Sequence, residues 1–257
     1  MTQLSPWPYP RWIAHRGAGK LAPENTLAAF RLGAQHGYRM FECDAKLSSD
    51  GVPFLMHDAT LPRTTNSAQV LGASASTTGG DHPWSVLSQL DAGGWHSRGH
   101  AGEPLPTLEN MARYCLANGF FLNIEIKPTP GLEEKTGQVV GTLCAGLWQN
   151  QAVPPLFSSF KPEALAGAMA TAPHIPRALL IDALWDGYLD VARQLECVAI
   201  VCNHALWDSA LVAQVKGLGM RTLSYTVNDE WAAQRLIDLK TDGIITDRVD
   251  LFAPAAG

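Results

Sequence analysis

Two pairs of charged residues stand out by their spacing. Glu42 and Asp44 lie two positions apart inside the apolar run 40–47, and Glu125 and Lys127 lie two apart at the end of the run 121–127. In an extended chain residues i and i+2 share a face, so each pair points one way. A carboxylate buried in an apolar strand is costly without a partner, and three that converge repel one another. Either each pairs with Arg or Lys in the surrounding wall, or the three share a hard cation. Three in this placement favour the cation, and an all-oxygen donor set suits Mg²⁺, Ca²⁺ or Mn²⁺ better than a soft metal. His15 and His57 each follow an apolar run. Imidazole titrates near neutrality, so two of them beside an acidic cluster suit general acid–base work. Arg16 and Lys127 bring cations to the same place. A guanidinium can grip phosphate oxygens bidentately and an ammonium acts as a point charge, which favours phosphoryl chemistry over carbon–carbon chemistry.

These residues need a scaffold that gathers strand ends. Strands are predicted at 12–14, 40–47, 52–56, 121–127, 156–159, 177–181, 198–202, 221–226 and 243–246. Helices are predicted at 27–37, 108–118, 133–148, 162–171, 186–195, 207–217 and 229–239. The turn Ser49-Asp50-Gly51 makes 52–56 the return arm of a hairpin. Setting that arm aside leaves about eight strands alternating with helices, the pattern of a parallel sheet covered by helices. Eight units in 257 residues predict an α/β fold, a closed (β/α)8 TIM barrel, as a single domain over 1–257. No Gly-x-Gly-x-x-Gly follows the first strand, which speaks against a dinucleotide fold. Residues 62–106 break the rhythm and read as an insertion, a lid or substrate cap at the mouth or else a surface excursion. Within it, 73–80 reads as a flexible loop and 84–90 as a short helix, while His82, His96 and His100 read as solvent-facing. Barrels of this kind carry their active sites at the C-terminal ends of the strands. His15, Glu42, Asp44, His57, Glu125, Tyr225 and Asp247 all fall at or near such ends.

With 19 Lys and Arg against 24 Asp and Glu, the net charge is −5. A chain of that balance lacks the basic stripe that nucleic-acid binding needs, although a few local cations can still build one phosphate site. Cys43, Cys115, Cys144, Cys197 and Cys202 are odd in number and form no Cys-x-x-Cys, so neither a disulfide framework nor a thiolate zinc site is expected. The N-terminus shows no basic-then-apolar leader, and no apolar run reaches about 18 residues. The expectation is a cytoplasmic protein without stable membrane insertion.

The chain also resembles the glycerophosphodiester phosphodiesterase family, of the bacterial cytoplasmic type with a phospholipase C-like barrel. The matching runs are His15-Arg16-Gly17, Pro23-Glu24-Asn25-Thr26, Glu42-Cys43-Asp44, Asp50-Gly51, His57-Asp58 and Asn123-Ile124-Glu125-Ile126-Lys127. Tyr225-Thr226-Val227-Asn228 and Asp242-Gly243-Ile244-Ile245-Thr246-Asp247 complete the ordered set. The resemblance implies a (β/α)8 barrel that hydrolyses glycerophosphodiesters to sn-glycerol 3-phosphate and an alcohol. It implies His15 and His57 as the catalytic pair, and Glu42, Asp44 and Glu125 as holders of one divalent cation. Arg16 and Lys127 would contact phosphate, and Tyr225 would stack on the glycerol or the alcohol. The rival readings are a phosphodiesterase of the same superfamily acting on lysophospholipids and a non-catalytic phosphodiester-binding barrel. An amidohydrolase is disfavoured, since His15 is followed by Arg16 and Gly17 and not by a second histidine.

Overall fold

The computed structural model describes residues 6–72 and 74–254. Residues 1–5, where a leader would begin, and Ala73 of the expected flexible loop lie outside the described residues. Strand β1 (Trp12–Ala14) leads through α1 (Leu27–Gln35) into β2 (Met40–Leu47), and β3 (Pro53–Leu55) folds back on it. The inserted segment follows, with α2 (Ser67–Leu71) and α3 (Trp84–Leu87), and then α4 (Leu108–Asn118). Strict alternation takes over from there: β4 (Phe121–Ile126), α5 (Glu133–Leu147), β5 (Leu156–Ser159), α6 (Pro162–Thr171), β6 (Arg177–Ile181) and α7 (Tyr188–Gln194). The chain ends with β7 (Cys197–Asn203), α8 (Ser209–Gly217), β8 (Arg221–Tyr225), α9 (Glu230–Asp238) and β9 (Gly243–Thr246).

Among the described residues, β1, β2, β4, β5, β6, β7, β8 and β9 pair in parallel, and β9 returns to β1. The fold is therefore a closed eight-stranded (β/α)8 barrel, with β3 as an antiparallel partner of β2 outside the closure. The β2–β4 register sets Glu42 beside Asn123 and Asp44 beside Glu125. That pairing puts all three acidic side chains on the inner wall. Below them the barrel is plugged by Ile13, Met40, Leu156, Leu180, Val201, Leu223 and Ile245. The acidic cluster thus lies above this plug, toward the rim at the C-terminal ends of β2 and β4.

The loops at that rim are tied down where they become helices. Thr26, Asp208 and Asp229 each accept a backbone N–H from the first turn of α1, α8 and α9, caps worth about 1 kcal/mol apiece. Helix α7 starts at Tyr188, later than predicted, because Gly187 sits at φ 86° and cannot be a helical residue. Helix α3 stops at Leu87, after which Gln89 and Leu90 make tighter three-residue turns. Helix α2 was not predicted: five residues are too few to show a period. The inserted segment builds a small apolar core against β3 and the turn after it, from Phe54, Met56, Leu61, Leu87, Leu90, Ala92 and Leu105.

Candidate active site

The site starts with an unusual turn after β1. Arg16 has φ 51° and Asn25 has φ 59°, both in the left-handed region that non-glycine residues seldom occupy. The contacts they make explain why the turn holds. The Arg16 N–H donates to Glu42 Oε2 at 3.0 Å, and the Asn25 N–H donates to the Arg16 carbonyl at 2.9 Å. The Asn25 side chain then brackets Asp44: its Nδ2 donates to Asp44 Oδ2 at 2.8 Å, and the Asp44 N–H donates to Asn25 Oδ1 at 3.1 Å.

Glu42 on β2, Asp44 on β2 and Glu125 on β4 offer oxygens that all lie within 4.8 Å of one another. Glu42 is 3% exposed and Asp44 is 1% exposed. Lys127 Nζ stands 3.1 Å from Glu125 Oε1 and 3.4 Å from Asp44 Oδ1. Arg16 Nε lies 3.3 Å from Asp44 Oδ2, an ion pair without hydrogen-bond geometry. The two readings of the carboxylates therefore coexist: Asp44 and Glu125 have cationic neighbours, yet the cluster is left short of positive charge. Burial, then the charges of Asp44 and Glu125, push the Glu42 carboxyl well above the usual range. Burial and the Asp44 charge push Glu125 up to about 7 against the pull of Lys127 and Arg16. Burial alone would raise Asp44 too, but Lys127, Arg16, His57 and the Asn25 amide together hold it below its ordinary value. Glu42 Oε1 is buried without any hydrogen-bond partner. An all-oxygen cradle with an orphaned oxygen and two reluctant carboxyls fits a divalent hard cation, which would relieve both features at once.

The two histidines are held in the same way. His15 Nδ1 is 2.6 Å from Asp247 Oδ1, and Asp247 is fixed by Asn228, whose Nδ2 donates to Asp247 Oδ2 at 2.8 Å. Burial would raise Asp247, but its bond to His15, the His15 charge and Asn228 lower it. His57 Nδ1 is 2.8 Å from Asp58 Oδ1. An ionised carboxylate only accepts, so each Nδ1 carries a proton and the proton-transfer atom left to each ring is Nε2. His15 Nε2 lies 3.8 Å from Glu42 Oε2. Burial lowers the His57 value, against the Asp44 charge.

Tyr225 ends β8 with its hydroxyl donating to the Ile181 carbonyl at 3.1 Å and its ring edge-on to Phe160. Only the half-exposed ring is left for contact with another molecule. His96 differs from the solvent-facing role expected of it. It is half-buried, its Nε2 lies 3.0 Å from the Lys20 carbonyl, and its ring meets that of His100. His82 and His100 are half-buried as well.

Several participants were not singled out by residue type and spacing. Glu24, Asn25 and Asp58 stand only in the matched motifs, and Asp247, read as a strand-end residue, carries no local sign that its partner is His15. Lys46 shares the strand of Glu42 and Asp44, and donates to the Lys127 carbonyl at 3.1 Å. Burial, then the Lys127 charge, lower its ammonium to about 8. Arg63 had no signal at all in the sequence; it joins Glu24 to Asp58 from the inserted segment.

Parallel barrels do their chemistry at this rim, and cations set beside buried carboxylates suit an anionic phosphoester. The class is that of barrel hydrolases acting on phosphoric diesters. Comparison with known proteins narrows it: residues 15–251 match the Glycerophosphoryl diester phosphodiesterase family, and the chain belongs to that family. A glycerophosphodiester phosphodiesterase of Caldanaerobacter subterraneus is 31% identical over 242 residues, covering 91% of this chain and 93% of the relative. A phosphodiesterase of Oleispira antarctica, solved in complex with the product sn-glycerol-3-phosphate, is 34% identical with TM-score 0.83 and covers 93% of each chain. A glycerophosphodiester phosphodiesterase of Agrobacterium tumefaciens is 29% identical with TM-score 0.74, covering 95% of this chain and 99% of the other. Among the described residues no helix is long and apolar enough to cross a membrane.

Proposed function

We propose that the chain hydrolyses glycerophosphodiesters to sn-glycerol 3-phosphate and an alcohol, with one divalent cation held by Glu42, Asp44 and Glu125. The observation that carries this reading is the convergence of those carboxylates within 4.8 Å, with Arg16 and Lys127 against them and His15 alongside. The product bound in the Oleispira antarctica relative supports the substrate class. Mg²⁺, Ca²⁺ and Mn²⁺ all match the oxygen donor set. When bound, the cation would neutralise phosphoryl oxygens and offset charge that builds up on them.

The chain's own groups do the rest. Once the carboxylates turn to a cation, Arg16 and Lys127 are free to take the non-bridging oxygens of the diester. Nε2 of one histidine accepts the proton of the attacking hydroxyl, and Nε2 of the other donates a proton to the leaving alkoxide oxygen. The attacking hydroxyl is that of water or the substrate's own glycerol 2-hydroxyl. In the latter case the P–O bond to the alcohol breaks as a cyclic phosphate forms. Water then opens the cyclic phosphate while the two histidines exchange roles. Asp247 and Asp58 hold each Nδ1–H, so the base starts as a neutral imidazole with Nε2 unprotonated and the acid as an imidazolium that also carries a proton on Nε2. Tyr225 contributes a ring face to the glycerol or the alcohol. Residues 62–106 act as a cap, a role supported by their contacts with the β1–α1 loop through Arg63 and His96 and with the first turn of α1 through Glu103.

Alcohol release from a panel of glycerophosphodiesters, measured before and after chelation and after adding back each cation, tests the reading. Chelation should abolish release and at least one cation should restore it. Release indifferent to chelation, or no release from any diester, would overturn it.

A further inference from the structure

We infer that Arg63, from the inserted segment, is a positioning residue for the reaction: it clamps Asp58, and through it His57, to the loop that carries Arg16. The inference rests on the reading of His57 as one of the acid–base pair.

The geometry is a double fork. Arg63 Nε and Nη2 donate to the two oxygens of Asp58 at 2.5 and 3.1 Å. Its Nη1 and Nη2 donate to the two oxygens of Glu24 at 2.9 and 2.6 Å. One planar guanidinium thus satisfies two carboxylates along two edges, which a lysine cannot do. Both carboxylates have a second partner in the site. Asp58 Oδ1 also holds His57 Nδ1, and Glu24 Oε1 also accepts from Arg16 Nη1 at 2.9 Å. The run His57–Asp58–Arg63–Glu24–Arg16 is therefore continuous, and its ends are a proton-transfer group and a phosphate-binding group.

Stability alone does not account for where the network leads. Arg63 is 44% exposed, and although a bidentate network can add to folding where single exposed pairs do not, this one runs between His57 and Arg16. Geometry explains it better. His57 opens a bend two residues past the three-residue strand β3, so its direction depends on what grips Asp58. Glu24 left without Arg63 would have only Arg16 to pair with and would draw it away from the diester. Trp95, also in the insertion, lies against the guanidinium with its ring centre at 6.0 Å. The insertion is held to that loop and to the first turn of α1 independently of the clamp. Glu103 Oε1 accepts the Ala28 N–H at 2.9 Å, and His96 Nε2 meets the Lys20 carbonyl. Docking of the segment and clamping by Arg63 can thus be separated by mutation.

The test compares Arg63→Met, Arg63→Lys, Glu103→Gln and His57→Ala, with Arg63→Met repeated in an Asp58→Asn background. Misplacing a reacting group by about 1 Å costs on the order of 10²-fold, so Arg63→Met should lower kcat by about 10- to 100-fold with KM moving less. Arg63→Lys should recover part of the loss, and it serves as the working variant where Arg63→Met folds poorly by circular dichroism. With Asp58→Asn already present the link is cut, and Arg63→Met should cost less than about threefold more. Glu103→Gln should keep kcat within about twofold of wild type. Wild-type kcat in both Arg63 variants would overturn the inference. So would an undiminished loss in the Asp58→Asn background, or an equal loss in Glu103→Gln. Wild-type turnover in His57→Ala would instead sink the reading of His57 itself, a result distinct from an inactive His57→Ala beside a fully active Arg63→Met.

Discussion

Replacing Glu125 by Gln tests the acidic cluster most directly, because the variant keeps the shape and removes the charge. The Glu125 carboxyl is raised from 4.5 to about 7, by burial first and by Asp44 second. A carboxyl raised in the folded state contributes no penalty below its unfolded value. Between about 4.5 and about 7 the unfolded chain has lost this proton while the folded protein keeps it, so stability falls across that window and levels off above it. Each pH unit of displacement is worth about 1.4 kcal/mol, so ionising Glu125 between pH 5 and pH 8 destabilises the metal-free protein by roughly 2–3 kcal/mol. For a chain of this size that corresponds to a melting shift on the order of 5–10 °C. In chelator, the stability of Glu125→Gln relative to wild type should therefore improve by that amount from pH 5 to pH 8. The lowered His57 runs in the opposite direction, gaining stability with pH, but it is present in both proteins and drops out of the comparison. Adding a divalent cation at pH 8 should reverse the order, since saturation at about a hundredfold over Kd stabilises the folded state by roughly 2.7 kcal/mol and the variant has lost a ligand. Urea melts at the two pH values, with chelator and with cation, read all of this. A difference between variant and wild type that stays flat with pH in chelator would refute the claim that Glu125 is held protonated by burial and Asp44. A cation that stabilises both proteins equally would refute its role as a ligand.

Other outcomes follow from the same geometry. His15→Ala and His57→Ala should each lower kcat by at least about 10², the lower end of what a proton-transfer group supplies; near-wild-type turnover in either would exclude it from the pair. Asp247→Asn removes the carboxylate that orients His15 and should cost about 10- to 100-fold in kcat, as partners behind a functional ligand do. Unchanged kinetics would leave the 2.6 Å contact without a part in the reaction. Away from the site, Gly137 on α5 faces α6 so closely that an added Cβ would clash with the Ala164 carbonyl and lie 2.8 Å from Ala168 N. Gly137→Ala should therefore destabilise by about 1–3 kcal/mol with little change in kcat, and an unaltered urea midpoint would contradict that close packing.

Much of the scaffold is legible along the chain because its determinants are local. Apolar runs of strand length, helix caps such as Thr26 and Asp229, and stops such as Gly119 are set by neighbours a few residues apart. The period of two in an extended chain is also local, and it suffices to put Glu42 with Asp44 on one face and to place the charged residues at strand ends. Partnership is a different matter. His15 meets Asp247 across 232 positions because β9 closes on β1. Arg63 reaches Glu24 because an irregular segment packs back over the β1–α1 loop. Tyr225, whose ring the family resemblance would stack on the glycerol or the alcohol, has its hydroxyl turned to Ile181 on another strand of the barrel. Protonation was equally out of reach. Glu42, Asp44 and Glu125 are alike as residues, yet neighbouring cations and the Asn25 amide hold Asp44 below its ordinary value while burial and like charge drive the other two above it. Residue type and local spacing determined which groups could take part. Closure of the barrel decided which of them touch and which carry charge, because both depend on distances and on exclusion of water that exist only once remote strands have paired.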